Sequence, residues 1–123
     1  MPLGTILRDP KVVSDKQAIA IRDVLQFAIQ TELKVELDEV TVRVRQFGPL
    51  DINYQPVEIE IDTGTGKGRW RVKAKEKLAL AIADRVFQSG VMLPEWTGPG
   101  KSSTWLRICE SAFVPIGHPD HAR

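Results

Sequence analysis

The chain has 123 residues, 42% of them hydrophobic and 27% charged, and a formal net charge of +1. These values are typical of one folded domain, and a near-neutral charge argues against nucleic acid as a partner. No apolar run reaches the roughly 20 residues that span a bilayer, which argues against a membrane protein. The single cysteine, Cys109, excludes an internal disulfide. Since the chain also has no signal-like apolar start, we expect a cytoplasmic protein.

The first half of the sequence predicts a strand, a helix and a second strand. PLGTIL is the first strand candidate. Ser14 and Gln17 then have the spacing of a capping box at a helix start. Apolar residues follow with the helical spacing i, i+3, i+4 and i+7, namely Ile21, Val24, Leu25 and Ala28. VTVRVRQF alternates valine with threonine or arginine, as a strand with one buried face does.

The second half, after the connection GPLDINYQP, repeats this order. VEIEID predicts a strand, and the loop TGTGKGR leads to a helix with Leu78, Ile82 and Val86 on its apolar side. Gly90 stands where the helix should end. A long loop, GVMLPEWTGPGKSS, precedes the last strand, TWLRICE, and we expect the tail 118–123 to be mobile.

Two β-α-β halves, residues 2–47 and 56–111, therefore predict a single α+β domain over residues 1–123. Right-handed crossovers would place both helices on one face of a four-stranded sheet. If the valines of VTVRVR lie under the helices, the arginines between them point to the other face. With Leu3 and Leu7 assigned to the helix side, we expect that arginine-bearing face to carry Pro2, Gly4, Ile6, Thr41, Arg43, Arg45, Glu58, Glu60, Trp105, Arg107 and Cys109.

The arginines of this face have two interpretations. They could bind an anionic substrate, or Arg43 and Arg45 could pair with Glu58 and Glu60 across the sheet, at roughly 0.2–1 kcal/mol per pair. A polar face that includes a tryptophan is also typical of a contact between subunits.

Pro2 follows Met1 directly. Small second residues, proline among them, allow the initiator methionine to be removed. Pro2 would then begin the first strand with a free secondary amine, which could be structurally idle or could be a catalytic base.

The chain resembles the tautomerase superfamily over about residues 2–117. The matching features are Pro2, the helix segments SDKQ and IRDVLQFAI, and the strands LDEVTVRVRQF and WLRICES. The first half is similar to 4-oxalocrotonate tautomerase. The full length is similar to the 5-carboxymethyl-2-hydroxymuconate isomerase and macrophage migration inhibitory factor groups. The resemblance implies a homotrimer with sites between subunits, and proton transfer on enol or 2-oxo acids without a metal or organic cofactor.

By this resemblance Pro2, freed by loss of Met1, would be the general base. Arg43 and Arg107 would bind the substrate carboxylate, with Arg45 in reserve. The family's arginine of the first half falls on Thr41 in an ungapped match, but on Arg43 when the two halves are aligned with each other.

The predicted function is thus a tautomerase or isomerase acting on a small anionic 2-oxo or 2-hydroxymuconate-like acid. One alternative is a non-catalytic oligomeric binding module of the same fold. Another is hydratase or dehalogenase chemistry, which would need a water-activating acid such as Glu110. GPGKSS and TGTGKG lack the spacing of nucleotide-binding loops, and the pair HPDH makes a weak metal site, so we expect no cofactor and no metal.

Overall fold

The computed structural model describes residues 2–97 and 101–108, apart from the side chain of Trp105. Each half folds as strand, helix, strand, which confirms the predicted α+β class. Short 3₁₀ turns at Leu37–Glu39, Lys67–Arg69 and Pro94–Trp96 join the main elements. The elements are β1 (Leu3–Arg8), α1 (Asp15–Leu33), β2 (Thr41–Gln46), β3 (Val57–Thr63), α2 (Trp70–Lys73), α3 (Lys75–Gln88) and β4 (Ser102–Ile108).

The capping box predicted at the start of α1 is present. Ser14 Oγ accepts a hydrogen bond from the Gln17 amide at 3.2 Å, and the Ser14 amide donates to Gln17 Oε1 at 2.8 Å. At the other end, Lys34 takes a left-handed conformation and its amide donates to the Gln30 carbonyl. These contacts satisfy backbone groups that the ends of a helix would otherwise leave without partners.

The four strands form one sheet in the order β2-β1-β3-β4. β1 is parallel to β2, β3 is parallel to β4, and the two central strands are antiparallel. Both long helices pack on one face, where they enclose Ile6, Ile59 and Ile61. The predicted helix of the second half begins as α2, bends at Ala74 and continues as α3, and Gly90 follows its end with a φ of +82°.

The prediction for the faces of β1 was wrong by one residue. Ile6 is fully buried under the helices, and a Cβ atom added to Gly4 would lie 3.0 Å from Ile29 Cδ1. Leu3 and Leu7 therefore belong to the opposite face. The error has a physical reason: β1 carries large apolar residues on both faces, so its alternation has no polar contrast that identifies the buried side.

The other strands follow the predicted alternation. Val42, Val44 and Leu106 pack against the core, while Arg43 and Arg45 are exposed. The predictions for Cys109, Glu110 and the tail fall outside the described residues. In the part of the chain that is described, no helix is long and apolar enough to cross a membrane.

Candidate functional site

Pro2 is buried and directly precedes β1, and the alternation of the strand puts it on the helix side of the sheet together with Gly4 and Ile6. Its carbonyl accepts a hydrogen bond from the Thr41 amide at 3.1 Å, so the start of β2 holds it in place. Leu3 is opposite Asp62 in β3. Continuing this antiparallel register by one residue brings Pro2 opposite Thr63, the buried last residue of β3.

The side chain of Arg71 contacts the same end of the sheet. Its Nη1 donates to Thr63 Oγ1 at 2.9 Å and to the Gly64 carbonyl at 3.3 Å, and its Nη2 donates to the Leu33 carbonyl at 3.2 Å. Within the described part of the chain, the buried Nε of Arg71 has no hydrogen-bond partner. Burial lowers the pKa of Arg71, an effect that the carboxylate of Glu39 partly opposes. A partly desolvated cation with a spare donor thus lies at the end of the sheet where Pro2 is found.

Trp70 is the first residue of α2, the short helix that carries Arg71. Lys34 Nζ lies 5.1 Å from the centre of the indole ring, and Arg71 Cζ lies 5.7 Å from it. Gly66 approaches the edge of the indole so closely that a Cβ there would be 2.7 Å from Trp70 Nε1. The indole therefore fixes two cations through cation–π contacts and makes this corner electropositive.

Sequence reasoning missed Arg71 because TGTGKGR was interpreted only as a loop that leads to the second helix. The cluster of three glycines shortly before an aromatic residue was the available signal, since two of these glycines, Gly66 and Gly68, adopt positive φ values. Such a loop has a specific backbone path and is not simply mobile.

The structure assigns Arg107 to its own chain's carboxylates. Its Nε donates to Asp62 Oδ1 at 2.8 Å, and its Nη2 reaches Asp62 Oδ2 at 3.2 Å and Glu60 Oε2 at 3.1 Å. The hydrogen bond to Asp62 and the two negative charges raise the pKa of Arg107. For Arg107, pairing across neighbouring strands is therefore the observed arrangement, with Asp62 as its main partner.

Arg43 and Arg45 lie exposed on the edge strand β2. Arg45 Nη1 donates to the Val44 carbonyl at 3.2 Å. Among residues 2–97 and 101–108, neither arginine forms the ion pair with Glu58 or Glu60 that was one of the two interpretations of the sequence. Both arginines occupy the face opposite to Gly4 and Ile6, so one chain does not collect them in a single pocket with Pro2.

The described residues contain no group of three metal-ligating side chains. A cavity of about 260 Å³ between α3 and β4 is lined by Ile59, Val86 and Ser102, among others. It lies at the beginning of β4, far along the sheet from Pro2, and includes none of the predicted site residues.

No family model matches the chain, and no curated protein matches it. Solved structures do match. A malonate semialdehyde decarboxylase inhibited by 3-bromopropiolate is 18% identical with a TM-score of 0.64, covering 95% of this chain and 90% of its own. A wild-type fused 4-OT, a symmetric trimer, is 16% identical with a TM-score of 0.64. The match covers 94% of this chain and 91% of the 4-OT chain.

A third similar structure is a macrophage migration inhibitory factor-like protein from Entamoeba histolytica. It is 12% identical with a TM-score of 0.56, covering 89% of this chain and 88% of its own. All three proteins are members of the tautomerase superfamily. Their similarity confirms, at the level of the fold, the resemblance inferred from the sequence: the chain has the tautomerase-superfamily fold.

Proposed function

We propose that this protein is a homotrimeric tautomerase or isomerase for small anionic 2-oxo or enol acids. The amine of Pro2, freed by removal of Met1, is the general base, and Arg71 holds the anionic group of the substrate. The observation that supports this proposal is that Arg71 donates a hydrogen bond to Thr63, the residue that the continued strand register puts opposite Pro2.

The chemistry needs only a base and a cation. Neutral Pro2 nitrogen takes a proton from the substrate's enol oxygen or from the carbon beside its carbonyl, and the electron pair moves into the conjugated system. The protonated amine then returns the proton to another carbon of that system. Arg71 stabilises the negative charge that develops on the substrate, and its positive charge also favours the unprotonated amine.

Arg71 is better suited than Arg107 to bind a substrate carboxylate. Arg107 already satisfies Asp62 and Glu60, so a substrate would have to displace these carboxylates. Arg43 and Arg45 stay possible ligands only if a neighbouring copy brings them to Pro2. The trimer belongs to the proposal because one structure of the same fold is a symmetric trimer.

Similar structures include decarboxylases, a dehalogenase-family member and tautomerases, so the fold alone does not choose among these reactions. Hydration and dehalogenation need a group that activates water, and Glu110, the residue suggested for this role, lies outside the described residues. Proton transfer is the simplest reaction that Pro2 and Arg71 can perform together.

The first experiment is the intact mass of the purified protein, followed by ketonisation of 2-hydroxymuconate measured by ultraviolet absorbance. We expect a mass without methionine and a loss of about 100-fold or more in kcat for Pro2→Ala, as removal of a tuned general base commonly produces. The value of kcat/KM should fall as the pH is lowered, because protonation removes the base.

Three further variants test the anion site. Arg71→Ala should raise KM strongly, whereas Arg107→Ala and the distant control Lys16→Ala should leave KM nearly unchanged. Circular dichroism verifies that each variant is folded. A protein that retains Met1 throughout, or a fully active Pro2→Ala variant, would contradict the proposal.

A further inference from the structure

The cavity between α3 and β4 exists because small residues line both of its walls. On the helix side of the sheet, β3 carries Val57 and Ile59, whereas the positions paired with them in β4 carry Ser102 and Thr104. The helix above contributes Ala83 to the lining. Since serine, threonine and alanine do not fill the space between helix and sheet, a cavity of about 260 Å³ is left in an otherwise packed layer.

Most of the cavity wall is apolar. Ile59 and Val86 belong to the buried core, Met92 is half-buried, and the ring of Phe87 is half exposed at the rim. An apolar wall with a few polar groups is the usual composition of a site for a small organic molecule. An engineered apolar cavity of about 150 Å³ binds benzene, so in proportion this one has room for about ten non-hydrogen atoms.

The polar side chains of the cavity can all accept hydrogen bonds. Ser102 Oγ donates its proton to the Trp96 carbonyl at 2.6 Å, which leaves the oxygen free to accept. Within the described part of the chain, Thr104 Oγ1 has no hydrogen-bond partner. The carboxylate of Asp84, at the helix side of the cavity, only accepts. A ligand that donates hydrogen bonds therefore fits these groups best.

Asp84 also gives the cavity a negative charge that is not neutralised. In residues 2–97 and 101–108 its carboxylate forms no ion pair and no hydrogen bond. The neighbouring Arg85 pairs with Glu32 at 3.4 Å instead. The residues three and four positions away on the helix, which would be its nearest partners, are uncharged: Leu80, Ala81, Phe87 and Gln88. The cavity lies beside the last turn of α3, where the peptide dipoles favour a cation as well.

We infer that this cavity binds a small organic cation, a primary amine attached to an apolar body, with about ten non-hydrogen atoms in all. The ammonium group donates hydrogen bonds to Asp84 and Thr104. The apolar body packs against Ile59, Val86 and Met92, and displaces water from them.

This site is separate from the one proposed for catalysis. Ile59 is four residues from Thr63, the residue opposite Pro2, which is about 14 Å along the strand. The ligand is a cation, whereas the proposed substrate is an anion. The inference therefore does not depend on the proposed function, and it adds a second binding activity to the protein.

The test titrates the protein with 3-phenylpropylamine and follows the methyl signals of carbon-13-labelled methionine by NMR. The chain has two methionines, of which Met92 lines the cavity. We expect a saturable shift of the Met92 methyl signal, and nuclear Overhauser effects between this methyl group and the aromatic protons of the amine. The neutral 3-phenylpropanol should bind about tenfold more weakly, because it lacks the charged hydrogen bond. The anionic 3-phenylpropanoate should not bind.

Substitutions of the polar groups test their roles. Asp84→Asn should weaken binding of the amine by about tenfold or more and leave binding of the alcohol nearly unchanged. Glu76→Gln, at an exposed carboxylate in the first turn of the same helix, is the control with the same charge change and should bind as the wild type does. Thr104→Val should weaken binding of both ligands.

Two further variants test the place of binding. Ala83→Leu fills the cavity and should abolish binding of both ligands, with circular dichroism verifying that the variant is folded. Pro2→Ala should bind the amine as the wild-type protein does.

Three results would overturn the inference: no saturable shift of Met92 at millimolar amine, equal affinity of the wild type and Asp84→Asn, or full binding by a folded Ala83→Leu variant. Loss of amine binding in Pro2→Ala would place the amine at the proposed active site and would overturn it too. None of these results bears on catalysis by Pro2, which the activity measurements test separately.

Discussion

Gly66 and Gly68 show how single positions fix the loop beside the candidate site. Both adopt positive φ values, +75° and +67°. A Cβ at Gly66 would lie 2.7 Å from Trp70 Nε1, whereas nothing lies within 4 Å of a Cβ at Gly68. The two glycines therefore share a positive φ, but they differ in ψ, which is 167° at Gly66 and 17° at Gly68, and in their contact with the indole.

We expect Gly66→Ala to destabilise the protein more than Gly68→Ala. Gly68→Ala suffers the strain of a left-handed alanine, about 1–2 kcal/mol. Gly66→Ala would have to adopt a backbone region that essentially only glycine occupies, at a cost of about 1–3 kcal/mol. Gly66→Ala suffers in addition the cost of a displaced indole, typically about 1–3 kcal/mol for a crowded site. Urea unfolding measures the difference. Equal losses for the two variants would show that neither the backbone region of Gly66 nor its contact with Trp70 adds a cost.

At the scale of elements, α1 has a beginning that its sequence specifies. The Ser14 and Gln17 contacts close the first turn, and Asp15 also forms an ion pair with the buried Arg8 of β1. Because Arg8 Nη1 also donates to the Val13 carbonyl at 2.8 Å, the end of β1 fixes the segment that leads into the helix.

Ser14→Ala should lower the free energy of unfolding by about 1 kcal/mol, the usual cost of losing a helix cap. Lys16→Ala, a substitution at an exposed neighbouring residue, should change the free energy of unfolding by no more than about 0.5 kcal/mol. A double-mutant cycle with Gln17→Ala measures the coupling of the capping box. Additive effects of the two substitutions would mean that the reciprocal contacts contribute nothing jointly.

The buried face of β1 could not be predicted from the sequence of the strand alone. The arginine and valine alternation of β2 predicted its faces correctly, because only one face is apolar. Leu3, Ile6 and Leu7 give β1 two apolar faces, and the packing of Gly4 against α1 decides which one is buried. The face that Pro2 shares was consequently not readable from its own strand.

At the scale of the whole molecule, the net charge of +1 conceals an uneven distribution. The stretch 67–77 has a single acidic residue, Glu76, and begins shortly after the end of β3 at Thr63. Its basic residues are Lys67, Arg69, Arg71, Lys73, Lys75 and Lys77. This surface faces water next to the proposed site, so it should attract anions toward it.

We expect kcat/KM for a carboxylate substrate to fall as ionic strength rises, because salt screens this attraction. Lys73→Gln/Lys75→Gln/Lys77→Gln should lower kcat/KM several-fold and flatten the salt dependence, with kcat nearly unchanged. Lys11→Gln/Lys16→Gln is the control at the far end of β1. A salt dependence that is the same in both variants would contradict steering by this segment.

The sequence alone determined the two β-α-β halves, the start of α1, and the exposure of Arg43 and Arg45. These are consequences of spacing within segments of a few residues, where alternation or helical period has only one reasonable outcome. The tertiary structure decided the site. Arg107 donates a hydrogen bond to Asp62, which is 45 positions away in the sequence, and Arg71 donates one to the Leu33 carbonyl, which is 38 positions away. Such contacts depend on strand order and register, which no local pattern encodes. Only the folded chain therefore shows that Arg107 is paired with carboxylates and that, among the described residues, Arg71 Nε has no hydrogen-bond partner.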